Sequence, residues 1–209
     1  MTASDLFVTG TDTNVGKTLL CALLVAALGR KYWKPIQTGA SEGTDRESVM
    51  KCAGVTEDHT YREAYIFDPP VSPHLAAEQK GIAIRLDDIH RPASPDPLII
   101  EGAGGVLVPI NNNATMLDLM KQIGAPLVVA TRTALGTINH TLLTISAIRN
   151  ADLNLRGVVM IGEENVDNRR AIEHLGEVAV IGFIPRLSDI NRAVLCSVYQ
   201  QHFDHAAFA

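Results

Sequence analysis

The residues best placed to do chemistry are Gly10-Thr-Asp-Thr-Asn-Val-Gly-Lys-Thr18, between a β-rich run (Asp5 to Thr9) and an apolar stretch. A strand that feeds a glycine-rich loop into a helix N-terminus turns backbone N–H groups and the positive end of the helix dipole toward phosphate. In such a loop Lys17 can reach the β- and γ-phosphates, and the Thr18 hydroxyl can ligate Mg²⁺. The spacing departs from the strict GxxxxGK[ST] pattern: five residues, not four, separate Gly10 from Gly16, and Thr11 stands where the strict pattern has glycine. The plainer reading is a chance Gly-Lys-Thr at a helix start, and the strand–loop–helix context outweighs it. No Asn-Lys-x-Asp sequence, which reads guanine, occurs in the chain, so ATP is the expected nucleotide by elimination.

A loop lysine and threonine of this kind need a carboxylate from another strand to complete a magnesium site. Leu98-Ile99-Ile100-Glu101 supplies one, followed by Gly102-Ala103-Gly104-Gly105, where the glycines add no Cβ bulk near a ligand. Asp45 is a second candidate, with a plainer alternative as a favourable negative charge in the first turn of a helix. Mg²⁺ keeps several waters and needs only one or two carboxylates, so both fit. Lys34 lies in an apolar run, Trp33-Lys34-Pro35-Ile36. It reads either as an edge-strand charge that blocks aggregation, or as a cation at a strand's C-terminal end aimed at an anionic substrate or a transferring phosphate.

The elements that must position these residues alternate strand and helix. The pattern predicts strands at Asp5–Thr9, Tyr32–Gln37, Leu98–Glu101, Leu127–Ala130, Gly157–Ile161 and Val178–Ile184. Helices are predicted over Lys17–Arg30, Asp45–Ala53, Met116–Ile123, His140–Asn150, around Ile172–Leu175, and Asn191–Gln201, with a short one near Leu75–Lys80. The stretch from Gly54 to Pro97 is weakly patterned and rich in proline. Such alternation is the signature of βαβ units on a parallel sheet. The expectation is α/β: a single-domain P-loop NTPase-like three-layer sandwich over residues 1–209, with a mostly parallel central sheet. The first helix is apolar all round and should be covered on more than one side.

Composition agrees. The 209 residues are 46% hydrophobic and only 5% aromatic, so Ala, Val, Leu and Ile fill the core. With 18 Lys+Arg against 23 Asp+Glu, the net charge of -5 argues against nucleic acid, which needs a basic face. Cys21, Cys52 and Cys196 show no CxxC spacing, which fits a reducing compartment and no zinc site; Cys21 reads as a small core residue. Met1-Thr2-Ala3-Ser4-Asp5 lacks the charged and apolar regions of a leader. No apolar run approaches the roughly 20 residues that span a bilayer. A cytoplasmic protein without membrane contact is expected. The 7 histidines form no credible metal site: His202 and His205 read as surface, His74 and His140 as structural.

Five segments in order resemble the dethiobiotin synthetase family. They are the long phosphate loop, Trp33-Lys34-Pro35-Ile36-Gln37-Thr38-Gly39, Ser72-Pro73-His74, Glu101-Gly102-Ala103-Gly104-Gly105 and Leu135-Gly136-Thr137-Ile138-Asn139-His140. The resemblance runs from about Phe7 to Leu187. It implies a ligase that carboxylates 7,8-diaminononanoate with CO₂ and closes the ureido ring of dethiobiotin in biotin biosynthesis. The reaction would pass through a carbamate and a carbamic–phosphoric mixed anhydride, with ATP converted to ADP and phosphate.

Carried over by position, the resemblance implies that Lys17 and Lys34 act on the reacting phosphate and carbamate. Thr18, Asp45 and Glu101 would form the magnesium site. Asn14, Val15, Gly16, Leu19, Gly102, Ala103 and Gly104 would cradle nucleotide, and Ile161, Gly162, Pro185, Arg186 and Leu187 would line the base. Thr38, Thr137, Ile138 and Asn139 would contact substrate, the last three across a homodimer interface. One departure stands out: where the family has an adenine-reading Asn, this chain has Ile161, so base selectivity should rest on backbone groups or be relaxed. The competing expectation is a nucleotide-switch ATPase of the partitioning or septum-positioning type. Those phosphate loops carry a second, upstream lysine, where this chain has Asp12 and Thr13.

Overall fold

A strand with parallel neighbours on both edges and helices over both faces has no solvent side, and β1 (Leu6–Gly10) is buried along its whole length. The computed structural model describes residues 4–208, so the Met1–Ala3 part of the leader expectation lies outside them. After β1 come α1 (Lys17–Leu28), β2 (Lys31–Trp33), β3 (Ile36–Gln37), α2 (Asp45–Ala53), β4 (Thr60–Tyr61), β5 (Tyr65–Ile66) and α3 (Pro73–Gln79). The second half runs β6 (Leu98–Gly105), α4 (Met116–Ile123), β7 (Leu127–Arg132), α5 (Thr137–Asn150), β8 (Leu155–Ile161), α6 (Val166–Gly176), β9 (Val180–Ile184) and α7 (Arg192–His202).

Seven strands form one sheet in the order β4-β2-β6-β1-β7-β8-β9, and every pairing in it is parallel. Because β1 lies between β6 and β7, the chain leaves β1 toward one edge and later returns to the other. In open α/β sheets the ligand crevice opens at the C-terminal ends of the strands at such a reversal.

The core has two layers. Leu20 to Ala26 of α1 pack with Val49 and Ala53 of α2 and Leu195, Val198 and Tyr199 of α7 over one face of the sheet. Ala76, Met116, Leu119, Ile145, Ile148 and Ile172, from α3 to α6, cover the other. The three-layer expectation holds, and α1 is enclosed by helices as well as by the sheet, as its all-round apolar surface requires.

Two expectations are corrected. The run Tyr32–Gln37 is not one strand: it breaks at Lys34-Pro35 into β2, in the main sheet, and β3, which pairs with β5 in a separate two-stranded sheet. Proline has no N–H for the ladder, so the strand ends there. The second correction is β6, which does not stop at Glu101 but continues through Gly105, with a register shift against β1 between Val8 and Gly10. A Cβ on Gly102 would fall 2.9 Å from Phe7 Cε1, so this glycine lets β6 stay close to β1.

Candidate nucleotide-binding and active site

The phosphate loop turns on Gly16, which caps α1 with φ +97°, in the left-handed region that favours glycine. A Cβ there would also fall 2.8 Å from Ile161 Cδ1. No side chain caps α1, so its first N–H groups face the loop unspent, as an anion site requires. Lys17 folds back across the loop, its Nζ donating to the Asp12 carbonyl at 2.9 Å. Burial lowers its pKa below the ordinary lysine value, with Glu101 opposing that shift.

Glu101 is the centre of the site and is 1% exposed. The Thr18 hydroxyl donates to its Oε1 at 2.8 Å, Lys34 Nζ lies 3.2 Å from the same oxygen, and the Tyr32 phenol donates to Oε2 at 2.9 Å. The Cys21 thiol is fully buried on the neighbouring turn of α1, and burial followed by the Glu101 charge pushes its pKa well up. Lys34 stands where Pro35 ends β2, and its ammonium is paired with both Glu101 and Asp45. Burial alone would lower the Lys34 pKa, but the charges of Glu101 and Asp45 overcome it and hold the lysine above its ordinary value.

Asp45 comes from the first turn of α2. Thr44 and Glu47 cap that helix reciprocally, which frees the Asp45 carboxylate for Lys34. Its backbone N–H donates to Gln37 Oε1 at 3.1 Å, and Gln37 Nε2 donates to the Thr38 carbonyl at 2.7 Å. Asp45 is thus both a helix N-terminal charge and a partner in the site.

These groups meet in a cavity of about 810 Å³ that also takes in Asn14, Gly16, Thr38, Ala103 and Gly104, with Ser72 and Pro73 from the start of α3. Val15 is buried beneath the loop, Leu19 packs against the core, and Gly102 lies against Phe7.

The other residues singled out in the sequence lie across β1. Ile161 ends β8 against Gly16, the Gly162 N–H donates to the Ile184 carbonyl at 3.0 Å, and Pro185, Arg186 and Leu187 follow β9. Thr137, Ile138 and Asn139 open α5, outside that cavity's lining. The Thr137 hydroxyl is committed internally, bonding Thr131 Oγ1 at 2.8 Å and the Arg132 carbonyl at 2.5 Å.

Four contributors escaped the sequence reading: Tyr32, Gln37, Cys21 and Arg132, whose guanidinium donates to the Asp12 carboxylate at 2.9 Å. A signal existed for two. Strand alternation puts Tyr32 on the same side as Lys34, and Cys21 lies three residues after Thr18, on one helix face.

A phosphate loop after the central strand of a parallel sheet, with a threonine and a buried carboxylate converging on it, defines a P-loop nucleotide-binding protein. The family profile described as an AAA domain matches residues 4–194. A ParA family ATPase from Chlorobium tepidum superposes with a TM-score of 0.58 over 95% of this chain and 91% of its own. At 11% identity that likeness is one of fold alone. Sequence is more particular. The ATP-dependent dethiobiotin synthetase BioD of Rhodopseudomonas palustris is 44% identical over 197 residues, 94% of this chain and 92% of that protein. Its counterpart in Brucella ovis is 44% identical over 206 residues, 99% and 97% of the two chains. The chain belongs to the dethiobiotin synthetase family. The nucleotide-switch alternative rests on the shared fold and is disfavoured.

Proposed function

We propose that the chain acts as one dethiobiotin synthetase-like domain in the cytoplasm, carboxylating 7,8-diaminononanoate with CO₂ and closing the ring of dethiobiotin at the expense of ATP. The observation that carries the reading is the Lys34 ammonium, buried and held charged at the floor of the cavity beside the phosphate loop. One amine of the substrate adds CO₂ and loses a proton to give a carbamate. A carbamate oxygen attacks the γ-phosphorus, releasing ADP and forming a mixed anhydride. The second amine then attacks the carbonyl carbon, and phosphate leaves as the ring closes.

No protein nucleophile is needed, so catalysis rests on positioning and charge stabilisation. The loop N–H groups from Asn14 to Leu19 and the Lys17 ammonium hold the phosphates. Lys34 stabilises the carbamate and the charge on the transferring phosphoryl group, and Thr38 orients the carbamate. Thr18, Asp45 and Glu101 offer oxygen donors of the kind Mg²⁺ takes, and the Lys34 ammonium held between the two carboxylates supports reading them as a cation site. Bound there, Mg²⁺ would supply charge neutralisation at the phosphates.

Ile161, Gly162 and Pro185 to Leu187 form the base end. Leu107, Leu135 and Leu143 are exposed beside Thr137–Asn139, and Leu107 and Leu143 line one cleft of about 440 Å³. They support a homodimer in which Ile138 and Asn139, on the helix start anchored by the buried Thr137, reach the partner's substrate. The acidic charge gives no footing for nucleic acid, and among the described residues no helix is long and apolar enough to cross a membrane. The test is phosphate release from ATP with and without 7,8-diaminononanoate and bicarbonate, with mass spectrometry of the product. ATP hydrolysis indifferent to the diamine, or no dethiobiotin, refutes the reading.

A further inference from the structure

Glu101 shows its two oxygens to different surroundings. Thr18 and Lys34 both line the large cavity, and both take Oε1. Tyr32 lies outside that lining and takes Oε2 at 2.9 Å. Its side chain is fully buried, at 0% exposure. The phenol is fixed by its strand: β2 pairs with β6 so that Tyr32 lies opposite Ile99 and Trp33 opposite Ile100, next to Glu101 itself. A carboxylate bonded on one oxygen from the cavity and on the other from the core cannot turn both oxygens toward one ion.

We propose that Tyr32 is a positioning residue that makes Glu101 a one-oxygen ligand and so favours Mg²⁺ over Ca²⁺. The inference rests on the magnesium reading of Thr18, Asp45 and Glu101 above. Mg²⁺ requires near-ideal octahedral geometry with single oxygens, whereas Ca²⁺ takes six to eight ligands and accepts a carboxylate through both oxygens. Pinning Oε2 withholds the coordination mode that suits the larger ion. Partners that hold a ligating group in this way commonly change metal affinity 10- to 100-fold when removed.

Tyr32→Phe deletes the phenol oxygen and keeps the ring that fills the core. The measurement is the electron paramagnetic resonance of Mn²⁺ held by the protein with a non-hydrolysable ATP analogue, displaced by Mg²⁺ in one titration and by Ca²⁺ in another. In the variant, Mg²⁺ affinity falls about tenfold and Ca²⁺ affinity falls less or rises, so the calcium-to-magnesium ratio increases several-fold. An unchanged ratio overturns the proposal, whatever happens to the two affinities together. Wild-type protein that holds no Mn²⁺ beyond what the free analogue holds overturns it too, and is separately recognisable as failure of the magnesium reading. Thermal unfolding of the metal-free variant reports any loss of fold, which lowers both affinities without altering their ratio.

Discussion

On the β2–β6 side of the crevice, Lys34 and Glu101 form an ion pair whose side chains are 5% and 1% exposed, tied to Thr18 and Tyr32. On the β8–β9 side, the corresponding ion pair is Arg186 with Glu163, at 79% and 75% exposure. A pair so exposed contributes little, whereas charges held in a dry pocket act strongly on a developing charge and need no reorganisation as it develops. The contrast teaches a division of labour. On the proposed reading, the side that performs the chemistry is built from buried, mutually paired groups of one chain, whereas the side assigned to base and substrate is exposed.

Removing Lys34 breaks the first side most severely. Lys34→Ala should lower turnover by about two to three orders of magnitude, the usual cost of deleting one preorganised donor at a transition state, with nucleotide binding by calorimetry nearly unchanged. The edge-strand reading of Lys34 is already excluded, because β2 lies between β4 and β6 and the lysine is buried. A variant that loses stability but keeps its turnover per folded molecule would make the Lys34 ion pairs structural and not catalytic. Next in size is the proposed dimer face. Leu143→Asp places a carboxylate in the exposed apolar cleft, so light scattering should report a monomer, and turnover should fall while circular dichroism is kept. A dimer that persists, or a fully active monomer, would move substrate recognition away from Thr137–Asn139.

The part of this architecture that was legible in the sequence is the part encoded locally. α2 and α4 fall where expected because Thr44 and Thr115 cap their starts and Gly54 and Gly124, both left-handed, stop them. The phosphate loop is a contiguous string, so its strand, turn and helix could be read together. The break at Pro35 is hidden in the sequence because the apolar run continues across the proline, whose missing N–H ends the ladder. Between Gly54 and Pro97 the strands are two residues long, and their partners β2 and β3 lie far back in the chain, so no local periodicity reports them. Tyr32 is half legible: alternation puts it on the side of Lys34, but its bond to Glu101 spans 69 residues and no local pattern reports that partner.

A smaller effect sharpens the recognition side. Ile161→Asn introduces an amide where β8 meets the base end, and one added hydrogen bond of about 1 kcal/mol is worth roughly fivefold. The ratio of kcat/KM for ATP over CTP should rise by that factor. An unchanged ratio would mean that the base is not read at the end of β8.

The smallest effect separates the two lysines of the chemical side. Burial is the largest influence on both, but only Lys34 has carboxylates strong enough to overcome it; Lys17 is left below its ordinary value of 10.5. In the pH window just under 10.5, the unfolded chain therefore holds more of the Lys17 proton than the folded protein does, and stability gains from Lys17 as pH rises. Lys34 acts in the opposite sense: its stabilisation is complete well below 10.5, begins to fade as its unfolded form loses the proton near 10.5, and is gone once pH passes its raised folded value. Cys21 and Tyr32, pushed up by burial and by Glu101, act in the same sense as Lys34 once their unfolded forms ionise. The Lys17 contribution is consequently visible only as a difference. Urea midpoints of wild type and Lys17→Met, taken in steps up to pH 10.5 at constant m-value, should diverge, with wild type gaining relative to the variant. Parallel curves would mean that Lys17 keeps an ordinary pKa in the folded protein, and that the two lysines differ in reach but not in electrostatic environment.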